Sequence, residues 1–254
     1  MNPPVLVEDH DHERGRIRIV RMNRPDARHA MNTAMLTELL DALDAVGAAV
    51  ELTGLLLTGD DDAFSAGADV REQDVDGGVR RMELFTVLYE VLSNLALPTA
   101  AAVEGPAIGG GAEAAAACDI RVAGRSARFR FPGAIYGIPV GPARLVGLVG
   151  LGTAKDWILS ARDVTVEEAA AVGFVQRVVD DGAAQAAAWD WLVEVGSRDP
   201  DTVRLQKRML NDFEGVRDRV AWENDALRAH AETGGLPPGL DRDLPRTVRP
   251  RRTS

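Results

Sequence analysis

Short apolar runs of strand length alternate with longer amphipathic segments over the chain up to about residue 180. RIRIVRM (16–22) alternates apolar and polar residues, and TGLLLTG (53–59) is a continuous apolar run. Between them, residues 33–50 carry apolar side chains at helical spacing. Strands separated by helices pair mainly in parallel, because a parallel crossover needs a long connection. The alternation predicts an α/β fold with ligand sites at the carboxyl ends of the strands.

The same pattern continues and then becomes purely helical from about residue 182. It predicts a helix over 79–97, strands over 98–105 and 119–124, a small helix around 110–117, a short strand near 127–131, and helices near 142–149 and 152–160. We expect two parts: a core over 1–182, and a C-terminal helical region over 183–254 that ends in an irregular tail. Trp189, Trp191 and Trp222 in that region either pack on the core or support self-association.

Composition excludes several classes of protein. The 254 residues carry a formal net charge of −10, which argues against a nucleic-acid partner. Cys118 is the only cysteine, so an intramolecular disulfide and a cysteine metal cluster are excluded. No segment has the pattern of a secretory leader or a membrane span, and we expect a cytoplasmic protein without a membrane partner. His10 and His12, which lie among acidic residues, are interpreted as a solvated turn rather than a metal pair.

Two loops that follow predicted strands carry the features typical of a catalytic site. FSAGADV offers small residues up to Ala68, and AIGGGAE places three glycines at the start of a helix that contains Glu113. Amides from two such loops can bind a carbonyl oxygen that becomes enolate-like, and Glu113 could then move protons. The alternatives are a tight glycine turn and a carboxylate that interacts with the helix dipole. Ser65 is not expected to act as a nucleophile, because Ala63 stands where a nucleophile elbow needs glycine.

Four segments together resemble the enoyl-CoA hydratase/isomerase (crotonase) family in order and spacing. They are NRPDARHAMN (23–32), TGDDDAFSAGADV (58–70), PTAAAVEGPAIGGGAEAAAACDIRVAG (98–124) and AAAVGFVQRVV (169–179). The resemblance covers most of residues 15–212 and is specific as an ensemble. It implies a crotonase-type core of repeated ββα units and a C-terminal helical region that builds homotrimers, often as dimers of trimers.

The resemblance also implies roles for individual residues. Ala68 and Gly110 match the two oxyanion-hole amides that polarise the thioester carbonyl of an acyl-CoA, and Glu113 matches the first of the two catalytic glutamates of the hydratases. The segments that line CoA contain Arg28, Ala30 and Ala66. Arg28 is chemically suited to a CoA phosphate. The family needs neither a metal nor a redox cofactor, since CoA arrives with the substrate.

The chain departs from the hydratase pattern at the second glutamate. Gly133 follows Pro132 where the hydratases carry a proline-glutamate pair, and Val140 stands where some isomerases place their acid. Tyr136 is either a nearby hydrogen-bond donor or a packing residue. Water addition is simplest with two carboxylates, so we leave three hypotheses open. These are a hydratase or double-bond isomerase with one glutamate, another enolate reaction such as decarboxylation or C–C cleavage, and an acyl-CoA-binding protein with weak catalysis.

Overall fold

The structure is a computed structural model that describes residues 2–49, 51–72 and 78–232. Its strands are β1 (Val5–His12), β2 (Gly15–Met22), β3 (Leu52–Thr58), β4 (Thr99–Val103), β5 (Pro106–Ile108), β6 (Ile120–Gly124), β7 (Arg128–Arg130), β8 (Val164–Thr165) and β9 (Arg177–Val179). Its α-helices are α1 (Thr33–Ala48), α2 (Val79–Asn94), α3 (Gly110–Ala117), α4 (Pro142–Ser160), α5 (Val166–Ala171), α6 (Ala184–Gly196), α7 (Pro200–Glu214) and α8 (Val216–Glu232).

A central sheet has the strand order β1-β2-β3-β4-β6-β9. β1 and β2 form an antiparallel hairpin, and the other neighbouring pairs are parallel. One face carries the large core, which includes side chains from α1, α2 and α3. The other face is covered by α6, whose Leu192 joins Ile17 and Leu56 in a second buried cluster. Burial on both faces explains the continuous apolar runs of the inner strands, and the predicted α/β class is confirmed.

A smaller sheet, β5-β7-β8, lies beside the central one. β4-β5-α3 is one ββα unit, and β6-β7 is followed by a 3-10 helix at Pro132–Ile135 and by α4. The parallel pairing of β5 with β7 brings the two units together, since Gly109 N–H donates to Arg130 O at 2.9 Å. The segments that follow β5 and β7 therefore meet at the site described below.

Most predicted elements are confirmed, and the two helices predicted near 142–149 and 152–160 are the halves of α4. They meet at Gly150, whose φ of 76° and ψ of 161° are not helical. The solvated turn predicted at His10 and His12 is wrong, because both residues lie in β1. The acidic residues around them form cross-strand ion pairs with β2, such as Asp9 with Arg18 at 2.7 Å. Such pairs favour a charged edge hairpin over a turn.

The purely helical pattern predicted from about residue 182 is confirmed, and it forms α6, α7 and α8. Trp189 and Trp191 are half-buried against the second face of the sheet, whereas Trp222 on α8 is 74% exposed. The division at residues 182 and 183 stays a prediction. The irregular tail predicted at the end of the chain falls at 233–254, outside the described residues. None of the helices in the described ranges is long and apolar enough to cross a membrane.

Candidate active site

The loop that contains Ala68 is held against the segment before α1. Met31 N–H donates to Gly67 O at 2.7 Å, and Asp69 N–H donates to Met31 O at 2.9 Å. In this parallel bridge Met31 pairs with the residues on either side of Ala68, so the Ala68 N–H faces the opposite side. The α3 N-terminus lies there, because a Cβ on Gly67 would sit 3.1 Å from Gly110 N. The Ala68 amide and the first turn of α3 are therefore neighbours.

The three glycines at the start of α3 permit close contacts with neighbouring elements. A Cβ on Gly110 would lie 2.5 Å from Phe85 Cε1, and one on Gly111 would lie 2.6 Å from Ser65 O. Gly109 has a φ of 51°, which favours glycine. Gly110 is the first residue of α3, so its N–H has no partner within the helix. Among the described residues, neither this amide nor that of Ala68 has a hydrogen-bond partner.

The predicted CoA-lining residues lie together beside this loop. Ala66 N–H donates to Arg28 O at 2.9 Å, and the Ser65 hydroxyl donates to the carbonyl of His29 at 2.8 Å. The Arg28 side chain is exposed, while Ala30 is buried and Ala66 is half-buried. The structure thus places an exposed guanidinium next to the loop that contains Ala68.

Glu113 lies in α3 and is 2% exposed. Its Oε2 accepts a hydrogen bond from Arg144 Nε at 2.8 Å, and Arg144 Nη2 donates to Glu223 Oε1 at 2.8 Å. Ala143 N–H donates to the other oxygen of Glu223 at 2.7 Å. The guanidinium lies over the Tyr89 ring, 4.7 Å from its centroid. The partner of the Glu113 carboxylate is therefore a buried arginine rather than an amide of α3 itself.

Burial is the main influence on the ionisation of this cluster. It raises the pKa of Glu113 from 4.5 to about 7, Arg144 opposes the rise, and Glu223 adds to it. Burial acts to lower the pKa of Arg144, but the carboxylates of Glu113 and Glu223 outweigh it and raise that pKa. Burial also holds the pKa of the Tyr89 hydroxyl well above 10.0, so that group stays protonated. At neutral pH Glu113 can both accept and donate a proton.

The segment after β7 leaves one side of Glu113 without a large side chain. A Cβ on Gly141 would lie 2.6 Å from Glu113 Oε1, so only glycine leaves this oxygen uncovered. Gly133 lies in a tight turn, where its carbonyl accepts Ile138 N–H at 2.8 Å and a Cβ would lie 2.4 Å from Ile138 O and 3.4 Å from Val140 Cγ1. Tyr136 is half-buried in the same turn, and its hydroxyl has no hydrogen-bond partner among the described residues. The turn around Gly133 therefore requires glycine. If the position had only lost its acid, a small residue such as alanine would also fit there.

Arg121 fixes the other end of α3. This arginine is fully buried, and its guanidinium donates to the carbonyls of Ala115 at 3.1 Å, Cys118 at 2.8 Å and Phe174 at 2.5 Å. A cation at a helix C-terminus is stabilised by the helix dipole. Burial lowers the pKa of Arg121 to about 10, which keeps it charged at neutral pH. Both ends of the helix that carries Glu113 are thus anchored by buried contacts.

A sequence comparison decides the family. The Enoyl-CoA hydratase/isomerase family model matches residues 12–226. The chain belongs to this family. It is 34% identical over 204 residues to the short-chain-enoyl-CoA hydratase of Clostridium acetobutylicum, a match that covers 78% of each chain.

Solved structures agree with this crotonase-family membership. An enoyl-CoA hydratase/isomerase from Xanthobacter autotrophicus Py2 has a TM-score of 0.81 at 30% identity, with 92% of this chain and 89% of that chain covered. A monofunctional enoyl CoA isomerase from M. smegmatis has a TM-score of 0.71 at 29% identity, with 85% of this chain and 94% of that chain covered. The likeness therefore extends to crotonases named for hydration and for isomerisation.

Sequence reasoning missed three residues of this crotonase site. Arg144, Glu223 and Tyr89 contact Glu113 or its partner, yet none of them stands out by motif. An arginine in the otherwise apolar segment PARLVG was the one available signal, because a buried arginine needs acceptors. The identity of those acceptors depends on how α4 and α8 pack, which local sequence does not specify.

Proposed function

We propose that this acyl-CoA enzyme of the crotonase family activates the thioester carbonyl between the amides of Ala68 and Gly110. Removal of a proton from the carbon next to that carbonyl then leaves an enolate whose oxygen accepts both hydrogen bonds. Amides aimed at the atom where negative charge develops stabilise the transition state more than the substrate. Glu113 is the acid/base that moves the proton.

One observation carries this proposal. The amides of Ala68 and Gly110, which have no hydrogen-bond partner among the described residues, lie side by side, and Glu113 lies in the same turn of α3 as Gly110. A Cβ on Gly67 would lie 3.1 Å from Gly110 N, so the loop that contains Ala68 lies close against the start of α3. The dipole of α3 adds to the attraction for an enolate oxygen. A pKa of about 7 suits Glu113 to proton transfer at neutral pH.

A single carboxylate with one uncovered oxygen also supports double-bond isomerisation. In that reaction Glu113 would take a proton from C2 of a 3-enoyl-CoA and return it to C4, and no water is added. Gly133 occupies the second glutamate position of the hydratases and cannot orient a water through a side chain. Hydration is the reaction named for the similar protein of Clostridium acetobutylicum, so both reactions must be assayed.

The remaining substrate contacts in the proposal involve CoA itself. In the proposal the exposed Arg28 guanidinium binds a CoA phosphate, and Ala30 and Ala66 belong to the segments that line CoA. The amides supply the carbonyl activation, so the proposed reaction uses no cofactor beyond the CoA of the substrate.

Self-association is the second part of the proposal, as a homotrimer or a dimer of trimers. One side of α7 carries Leu205, Met209 and Phe213 at helical spacing, and Phe213 is 80% exposed. The opposite side contacts the core through polar bonds, such as that of Lys207 to Asp119 at 2.7 Å. An exposed apolar stripe of this kind favours contact with another copy. Light scattering on a Phe213→Asp variant tests it: the parent should be a trimer or hexamer and the variant smaller, and a monomeric parent would contradict the assignment.

Turnover of two thioesters tests the catalytic proposal. Crotonyl-CoA reports hydration by loss of the enoyl-thioester absorbance, and a 3-enoyl-CoA reports isomerisation by its gain. We expect at least one reaction in the parent and a loss of about a hundredfold or more in Glu113→Gln. Glu83→Gln, an exposed site on α2, is the matched control and should retain parental rates. Equal rates in Glu113→Gln and the parent would refute a role for Glu113 in proton transfer.

A further inference from the structure

A second carboxylate reaches the Glu113 cluster from the C-terminal helix. Glu113 on α3, Arg144 on α4 and Glu223 on α8 are at most 3% exposed. Arg144 Nε and Nη2 each bond to one carboxylate at 2.8 Å, so one guanidinium bridges both acids. Three helices that are far apart in sequence thus meet in a single buried ion cluster.

The charges in this cluster do not balance. With both carboxylates ionised, one guanidinium leaves a net charge of −1 in a buried site, which is costly. The elements packed around it add little compensation, because α2 contributes the neutral Tyr89 hydroxyl and Glu90, which bonds to Asn224 at 3.4 Å. Arg219 on α8 is paired with Glu214 on α7 and donates to Ala143 O. The cluster is therefore most stable when it holds one proton.

We propose that Glu223 sets the protonation state of Glu113 through the arginine that they share. A negative charge on Glu223 competes for Arg144 and disfavours a second negative charge on Glu113. Glu113 then binds its proton at a higher pH than it would beside Arg144 alone. Glu223 is a positioning residue rather than a catalytic one, since its contacts are with Arg144 and Ala143 N–H.

This inference rests on the proposed role of Glu113 and adds a function for α8. Deprotonated Glu113 would accept the substrate proton, and protonated Glu113 would return it. Glu223 raises the pH at which these two forms are equally populated and brings it toward neutrality. Displacement of α8 would remove that influence, so the packing of the C-terminal helix controls the acid/base at the active site.

Carbon-13 NMR of glutamate-labelled protein tests the inference without depending on turnover. The Glu113 carboxyl signal is assigned by its absence in Glu113→Gln, and its titration is followed in the parent and in Glu223→Gln. We expect a midpoint near 7 in the parent and a midpoint lower by about one unit or more in Glu223→Gln. Asp225→Asn removes an exposed charge from the same helix and should leave the midpoint unchanged. An unchanged midpoint in Glu223→Gln would overturn the inference.

A second measurement covers the case in which Glu223→Gln does not fold. In the parent, the backbone amide signal of Ala143, which donates to Glu223, should shift with pH at the Glu113 midpoint. An Ala143 signal that does not change at that pH would overturn the inference. Kinetics separate this result from the proposed function: Glu113→Gln abolishes turnover if Glu113 is the acid/base, whereas Glu223→Gln moves the acidic limb of the pH-rate profile to lower pH. If the Glu113 midpoint shifts in Glu223→Gln but Glu113→Gln still turns over substrate, the inference stands and the proposed function is rejected.

Discussion

Replacement of Arg144 by methionine should destabilise the protein severely. Methionine approximates the aliphatic stem of arginine but leaves Glu113 and Glu223 buried without a cation. Removal of one partner from a buried ion pair costs about 3–5 kcal/mol. The two charge-assisted hydrogen bonds of Arg144, at about 1.5–3 kcal/mol each, give a similar range. We therefore expect a loss of about 3–5 kcal/mol in the free energy of unfolding at pH 7.

The loss should depend on pH and on the two carboxylates. At pH 5 the uncompensated acids take up protons, so the loss should be smaller. For the same reason, the triple variant Arg144→Met, Glu113→Gln, Glu223→Gln should recover much of the stability, because removal of a whole buried ion cluster is often close to neutral. The pH dependence of the loss and the stability of the triple variant thus distinguish charge imbalance from a simple packing defect.

Urea unfolding followed by circular dichroism at fixed protein concentration provides the assay. Arg125→Met is the control, because Arg125 and Asp180 form an exposed pair with side chains that are 68% and 86% accessible. Its loss should be under about 1 kcal/mol. If Arg144→Met costs no more than Arg125→Met, the account of the buried cluster is wrong.

Three further predictions concern α3 and its acid. Arg121→Met should cost about 2–4 kcal/mol by urea unfolding, since it leaves buried carbonyls of the α3 C-terminus without a donor; a loss under about 1 kcal/mol would contradict this. Gly110→Ala should lower kcat/KM about tenfold or more, because its Cβ would contact Phe85, and Phe85→Leu in the same chain should restore part of the rate; full activity of the single variant would show that the spacing does not matter. The pKa of Glu113 is raised on folding from 4.5 to about 7, so its contribution to stability is complete below pH 4.5 and is lost as pH rises to about 7. The free energy of unfolding of the parent relative to Glu113→Gln should fall by on the order of 3 kcal/mol over that interval, and a flat difference in urea titrations would argue against a raised pKa.

Local sequence was sufficient for the elements that hold the amides. Continuous apolar runs identified β3 and β4, and the three consecutive glycines at 109–111 correctly located the start of α3. Parallel pairing then brings the ends of neighbouring strands to one edge, which is why the two loops were expected to lie together. The choice of Ala68 and Gly110 within those loops came from the family resemblance. These features depend on short-range periodicity and on backbone conformation.

Features that depend on tertiary contacts could not be predicted in this way. β1 was missed because its charged residues are typical of a turn, and only the pairing with β2 gives each acid an arginine opposite. Glu113 was recognised, but its bridge through Arg144 to Glu223 joins helices separated by long stretches of chain. Gly133 was interpreted as a lost acid, whereas the structure adds a steric reason in the carbonyl of Ile138.

Hydrogen exchange at the α-carbon of a saturated acyl-CoA tests the central claim most directly. Butyryl-CoA has no double bond to hydrate or move, so loss of its α-proton signal in D2O reports enolate formation alone. We predict exchange catalysed by the parent and about a hundredfold or greater loss in Glu113→Gln, with Glu83→Gln unaffected. An absence of catalysed exchange in the parent, at concentrations where butyryl-CoA is bound, would contradict an enolate held by Ala68 and Gly110 with Glu113 as its base.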